Sequence, residues 1–298
     1  MATHSHDNID WDAHLQRLRE ADELNAPETA ELVARLLRAD DRTVLEIGAG
    51  AGGTAAAFAA ALGDTGGEVV VVDTAPELLA AAAERAGSVS DRVAVHVVQA
   101  DAAADGLAEA VAQTGAPTQA DLVFAAFVVH HLPDQLAGLR RLAQLVRPGG
   151  QLAIVEFGLP TRVLPDDLGI GEPGLEARLI SAHDQWFRRM RAEMDGSVRM
   201  PVGWGTALAE AGLTGVRSWS YLVDRPAPLD ALGRSAVLRR LQLLRRHAEE
   251  FVDQDDLRTL DELLDEGGEH YVGNRDDVYF LATHTVHVGV RESAGDPA

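Results

Sequence analysis

The first half of the chain alternates short apolar runs with Ala- and Leu-rich stretches of helical spacing. The runs cover 43–47, 69–72, 93–98, 122–124 and 152–155. They are continuous rather than alternating, the pattern of strands buried on both faces. The stretches between them predict helices over 54–62, 77–86, 106–112 and 133–146. Five strand–helix repeats predict a parallel sheet with helices on both sides. Two helices precede the repeats, a polar one over 14–25 and one opened by Pro27 with Leu32, Val33, Leu36 and Leu37 at helical spacing.

The pattern changes after Gly158. A Pro-rich loop leads to a helix over 175–194, then a helix over 204–211 and a strand over 216–223. Two long helices, 229–247 and 254–264, precede a final strand rich in β-branched residues over 278–288. This predicts an α/β, Rossmann-like, mostly parallel seven-stranded sheet with a helical cap insertion. The expected divisions are 1–40 as N-terminal lid helices, 41–158 as the ligand-binding core, and 159–298 as cap helices with the last two strands. The tails 1–8 and 292–298 are expected to fray.

Composition narrows the chemistry. The 298 residues include no cysteine and no lysine, which excludes disulfides, thiolate zinc sites, Cys nucleophiles, Schiff bases and the P-loop lysine. The formal net charge of −21 opposes nucleic acid and anionic membrane as partners. No apolar run has the length of a membrane helix, and the polar first ten residues hold no signal-peptide core, so a cytoplasmic protein is expected. His4 and His6 read as tail residues, and a homodimer is left open.

The sharpest motif is Val44-Leu45-Glu46-Ile47-Gly48-Ala49-Gly50-Ala51-Gly52-Gly53, a buried strand, a Gly-rich turn and a helix start. Glycines there let the backbone take positive φ and approach a ligand. Gly48, Gly50 and Gly53 also fit the dinucleotide fingerprint, and Asp73, ending the next run, fits a ribose ligand in either setting. Asp73 has a plainer reading as a helix N-terminal charge before Pro76. Further along come Gln99-Ala100-Asp101-Ala102, then Asp121-Leu-Val-Phe-Ala-Ala-Phe127-Val-Val-His130-His131-Leu132-Pro133-Asp134, then Arg147-Pro148-Gly149-Gly150 before a strand.

In this order and spacing, over about 42–157, the motifs resemble the class I S-adenosylmethionine-dependent methyltransferases. The resemblance implies that Glu46, Gly48, Gly50 and Gly52 hold the methionine part of the cofactor. It further implies that Asp73 with Thr74 holds the ribose, Asp101 with Ala102 holds the adenine, and Phe127 lies in the loop beside it. Related small-molecule O-methyltransferases imply a catalytic set of His130, His131 and Glu156. Imidazole suits proton uptake near neutral pH. Two adjacent side chains in such a turn are expected to diverge, with His130 toward the acceptor as base and His131 bracing the helix start.

His183, Trp186 and Phe187, on a stripe with Leu179, Ile180 and Met190, are candidates for the acceptor pocket, with a helix packing on the core as the plainer reading. Arg239, Arg240, Arg245, Arg246 and His247 read as a solvated helix face with anion recognition as the alternative. The metal-dependent catechol type carries acidic residues where this chain has Ala125, Ala126 and Phe157, so no metal is expected. The expectation is S-adenosylmethionine-dependent methylation of a small-molecule acceptor, with oxygen favoured over nitrogen and natural-product metabolism as a setting. A methyltransferase fold without methyl transfer, or with a regulatory binding role, and a nicotinamide-dependent oxidoreductase are the alternatives.

Overall fold

The computed structural model describes residues 9–293, so His4, His6 and the 1–8 tail lie outside the described residues, as does 294–298. A seven-stranded sheet carries the order β3-β2-β1-β4-β5-β7-β6. Its strands are β1 (Thr43–Ile47), β2 (Gly67–Asp73), β3 (Val93–Gln99), β4 (Ala120–Ala126), β5 (Val146–Phe157), β6 (Thr214–Arg225) and β7 (Phe280–Val290). The first five strands pair in parallel. From β1 the order runs outward through β2 and β3 on one side and through β4 and β5 on the other. The β1–β4 junction is therefore the topological switch point, where open α/β sheets bind ligands at the strands' carboxyl ends.

The two-residue period of a strand sorts the side chains onto the two sheet faces. Val44, Val69, Val71, Leu122, Phe124, Ala153 and Val155 pack with helices α2 (Ala26–Leu36), α3 (Gly53–Leu62) and α4 (Pro76–Gly87). Leu45, Ile47, Val70, Val72, Val123, Ala125, Leu152 and Ile154 pack with α5 (Leu107–Gln113), α6 (Gln135–Gln144) and α8 (Trp204–Glu210). Each fully buried Val, Leu or Phe here contributes about 1.5–3 kcal/mol over exposure. Helix α1 (Trp11–Leu24) begins at Asp10, whose carboxylate accepts from Ala13 N at 3.0 Å.

One expectation fails at β3. The run 93–98 reads as buried on both faces, yet Ala94 and Val97 are exposed. Its place at the sheet edge is the reason, and edge position is not written in a local pattern.

The chain forms two compact units. The first takes the described residues through Phe157, Gly196–Tyr221 and the described residues from Thr285. The second takes Gly158–Asp195 and Leu222–His284. Compactness thus groups the N-terminal helices with the sheet and divides the stretch after residue 158. The second unit has its own core, in which Leu175, Leu179 and Ala182 of α7 (Leu175–Glu193) meet Val237, Leu241 and Leu244 of α9 (Ala231–Ala248). Leu257, Leu260 and Leu263 of α10 (Gln254–Leu264) join them. No described helix is long and apolar enough to cross a membrane.

The glycine turn after β1 separates two physical demands. Gly52 (φ +79°) lies against α4, and a Cβ there would sit 2.5 Å from Ala82 Cα. Gly50 (φ +52°) has nothing within 4 Å of such a Cβ. Gly50→Ala should cost about 1–2 kcal/mol for the left-handed backbone alone. Gly52→Ala should cost about 2–5 kcal/mol, because the α4 backbone must also move. Urea denaturation of the two variants measures the gap, and equal losses would contradict the close approach of turn and helix.

Candidate active site

Glu46 is the fourth residue of β1, and its parity aims it to the face covered by α2 and α3. It is buried, and its Oε2 has no hydrogen-bond partner. Burial first, then the nearby charges of Asp22 and Asp73, raise its pKa well above the usual carboxylate range. Asp73 ends β2 with the same parity. Its Oδ2 accepts from Gly50 N at 3.3 Å, and its Oδ1 accepts from Thr74 N at 2.8 Å and Ala75 N at 3.2 Å. Asp73 therefore does cap the approach to α4, and it also ties the glycine turn to the end of β2. Thr74 is fixed in turn by its carbonyl, which accepts from Gln99 Nε2 at 2.9 Å.

The third carboxylate was not legible in the sequence. Asp22 of α1 reaches the turn because Gly53 has no side chain, and a Cβ there would lie 2.3 Å from Asp22 Cγ. Asp22 pairs with Arg85 of α4 at 2.6 Å, and burial still raises its pKa. No motif marks Asp22, because only the docking of α1 brings it here. Among the four acids of this polar helix, Asp12, Glu20, Asp22 and Glu23, nothing local singles out Asp22.

Asp101 follows β3 and is exposed, and its Oδ1 accepts from Ala103 N at 2.7 Å while its carbonyl accepts from Ala104 N at 3.0 Å. Asp101 thus caps its own turn. Ala102 is buried beside it. The turn holds three successive glycines at positive φ, Gly48, Gly50 and Gly52, and Gly48 is packed so closely that a Cβ would meet Val128 Cγ2 at 2.3 Å.

These features fit S-adenosylmethionine. A partnerless buried carboxylate oxygen suits the cofactor's ammonium group. The open space at Gly50 lets a ligand approach the backbone, and Asp73 at the end of β2 suits a vicinal diol.

On the other side of the switch point, Phe127 holds φ +57°, the single non-glycine residue with positive φ among the described residues. Such a conformation costs about 1–3 kcal/mol and marks functional turns. Its N–H donates to Val155 O at 2.8 Å, and its ring lies 4.9 Å from that of Phe157. A 3-10 turn over Val129–His131 follows.

His130 is buried, and Glu156, at the end of β5, holds it twice. The His130 N–H donates to Oε1 at 3.2 Å, and Nδ1 lies 2.7 Å from Oε2. With a neutral ring, Nδ1 carries the proton donated to Glu156, and Nε2 is the basic nitrogen. His131 is exposed, with its ring centroid 4.0 Å from that of His130. The expected divergence of the two rings is thus not found. The tight 3-10 turn keeps them side by side, and Glu156 ties His130 into the protein. Phe157, noted in the sequence only as a missing metal ligand, stands 5.2 Å from the His130 ring.

His183, Trp186 and Phe187 lie on α7 in the second unit. His183 and Trp186 join His247 of α9, while Phe187 is half-buried.

The raised pKa of Glu46 has a signature in the ligand-free protein. The folded chain keeps a proton that the unfolded chain releases near its ordinary value of about 4.3. Between that value and the raised one, stability falls with rising pH by at most about 1.4 kcal/mol per unit. Above the raised value the loss is complete. Glu46→Gln should remove this dependence and exceed the wild type in stability at about pH 8. Urea titrations across pH read both, and identical pH dependence in the two proteins would contradict the burial and repulsion assigned to Glu46.

Comparison with known proteins agrees with this geometry. A family model described as a methyltransferase domain matches residues 45–152. A trans-aconitate 2-methyltransferase of Methylobacterium nodulans is 30% identical over 278 residues, covering 84% of this chain and 94% of that protein. Its namesake from Methylobacterium radiotolerans is 34% identical over 182 residues, 57% of this chain and 62% of its own length. The solved structure of an O-methyltransferase family protein from Burkholderia thailandensis superposes with a TM-score of 0.52 at 16% identity, covering 97% of this chain and 62% of that one, and shows the same fold. Likeness to the first of these relatives over almost its entire length, together with the matched domain, shows that the chain belongs to the class I S-adenosylmethionine-dependent methyltransferases.

Proposed function

We propose that the protein methylates an oxygen of a small-molecule acceptor, with His130 as the base and Glu156 as its positioning residue. The observation that carries this reading is the buried His130–Glu156 pair at the carboxyl ends of β4 and β5. S-adenosylmethionine, when bound, supplies an electrophilic methyl group on a sulfonium. Glu46, the glycine turn, Asp73 with Thr74, and Asp101 with Ala102 are the residues assigned to hold it. The protein's part is to align the acceptor oxygen and take its proton. Glu156 keeps the ring tautomer in which Nε2 accepts a proton, and it stabilises the imidazolium that results. The Phe127 and Phe157 rings supply apolar surface near the pair.

A second reading has its own support, since two relatives are named for a tricarboxylic acid. A carboxylate oxygen enters without a proton, and an imidazolium at His130 would orient it by donating a hydrogen bond. The two readings differ in the sign of their pH dependence. For a hydroxyl acceptor, turnover falls toward low pH. For a carboxylate acceptor, it falls toward high pH.

His130→Ala should lower turnover by about 100- to 10,000-fold under the hydroxyl reading while leaving S-adenosylmethionine affinity within about threefold. Glu156→Gln should lower turnover in the same direction with a smaller loss. Turnover should be unchanged by EDTA. Single-turnover assays with trans-aconitate and with hydroxylated acids, run across pH, are the test. Near-native turnover and a flat pH profile in His130→Ala would overturn the role given to the pair.

A further inference from the structure

The second unit contains a cation that the proposed chemistry does not use. Arg240 of α9 is half-buried, and its Nε is fully buried with no hydrogen-bond partner. Arginine stays ionised, so this is a fixed charge taken out of water. Burial lowers its pKa, against the pull of Glu176 and Asp184. Glu176 is committed elsewhere. Its oxygens accept from Val163 N at 2.8 Å and Leu164 N at 3.4 Å, and Arg162 stands 3.8 Å away.

The surroundings of Arg240 are built. His247 is seven residues further along α9, two turns on the same face. Its Nδ1 lies 2.9 Å from Nδ1 of His183 on α7, so one ring donates and the other accepts. The indole of Trp186 stacks on His247 with centroids 3.5 Å apart and planes 5° from parallel. The charged groups acting on the two imidazoles are Arg240, Arg246 and Asp184. Burial first, then His183, Arg246 and Arg240, lower the His247 pKa to about 4. Both rings are thus neutral at neutral pH, held so first by burial and then by the neighbouring cations. Two imidazoles that can gain protons beside an unpaired guanidinium match an anion. Such a local cation is also what an anionic ligand requires in a chain of net charge −21.

We infer that Arg240, His183 and His247 form an anion-binding site within the helical unit, taking a carboxylate of a small organic acid. The choice of carboxylate among anions rests on the small-acid acceptor considered above. The carboxylate replaces the missing partner at Nε and draws protons onto the imidazole pair. The sequence reading of this stretch as a solvated face is corrected for Arg240 and His247. They flank Leu241 and Leu244, which pack against α7, and both are half-buried while Arg246 is exposed.

Calorimetry of the full chain with citrate tests the site. Citrate should bind, and more tightly as pH falls from 8 to 6. Arg240→Met should weaken binding by at least about tenfold while keeping or raising Tm, since it removes a buried unpaired charge. Arg240→Lys, which keeps the charge but loses Nε, should give an intermediate loss. No citrate binding, or equal affinity in Arg240→Met, would overturn the proposal. A lowered Tm with unchanged citrate affinity would make Arg240 a packing residue. The source of the carboxylate is read separately with trans-aconitate as acceptor. A raised KM with kcat retained in Arg240→Met assigns the site to the acceptor, and an unchanged KM assigns it to another organic acid. Absence of methyl transfer would count against the proposed function and leave the citrate result standing.

Discussion

A buried carboxylate without a donor for one of its oxygens is the constraint around which the cofactor half is organised. Glu46 is placed by the register of β1, and the same parity puts Asp73 at the end of β2 on the same face. The absence of a side chain at Gly53 admits Asp22 of α1 as a third carboxylate. The charges of Asp22 and Asp73 add to burial in raising the pKa of Glu46, and Arg85 pairs with Asp22. The arrangement is costly by itself and favourable once a cation enters. A methyl donor carrying an ammonium and a sulfonium supplies that cation, and the −21 net charge of the whole chain draws it in from a distance.

The same economy applies across the switch point. Phe127 is held at positive φ by its bond to Val155 O and by the packing of Val128 on Gly48. The loop is thereby forced into the turn that brings His130 to Glu156. The parity of β5 places Leu152, Ile154 and Glu156 on the α5–α6 face, so the carboxylate meets the imidazole from the side opposite to Glu46. Glu46 and Asp73 on one side and Glu156 on the other thus stand on opposite faces of the sheet.

Most of the fold was legible because a sheet covered on both faces writes itself as uninterrupted apolar runs. The predicted helices and strands differ from the observed ones mainly by a few residues at their ends. What was not legible depended on position in three dimensions. Val97 is exposed because β3 is an edge. Asp22 matters because α1 docks on the glycine turn. His130 and His131 stay adjacent because a 3-10 turn spans them. The motif residues that the resemblance assigned to the cofactor stand at the ends of β1, β2, β3 and β4, while the acceptor side was visible only as a stripe on α7. Arg240 and His247 could have been drawn from the basic run by their spacing with Val237, Leu241 and Leu244, which marks the inward face of α9.

The central claim is that the carboxylates around the glycine turn form the seat of the cofactor's positive charge. Calorimetric titration with S-adenosylmethionine, repeated in buffers of different ionisation enthalpy, measures the protons exchanged on binding. A cation entering beside Glu46 forces its carboxyl to ionise, so the account predicts net proton release that grows toward lower pH and is lost in Glu46→Gln. Binding of equal strength in wild type and Glu46→Gln, with no proton exchanged in either, would contradict it.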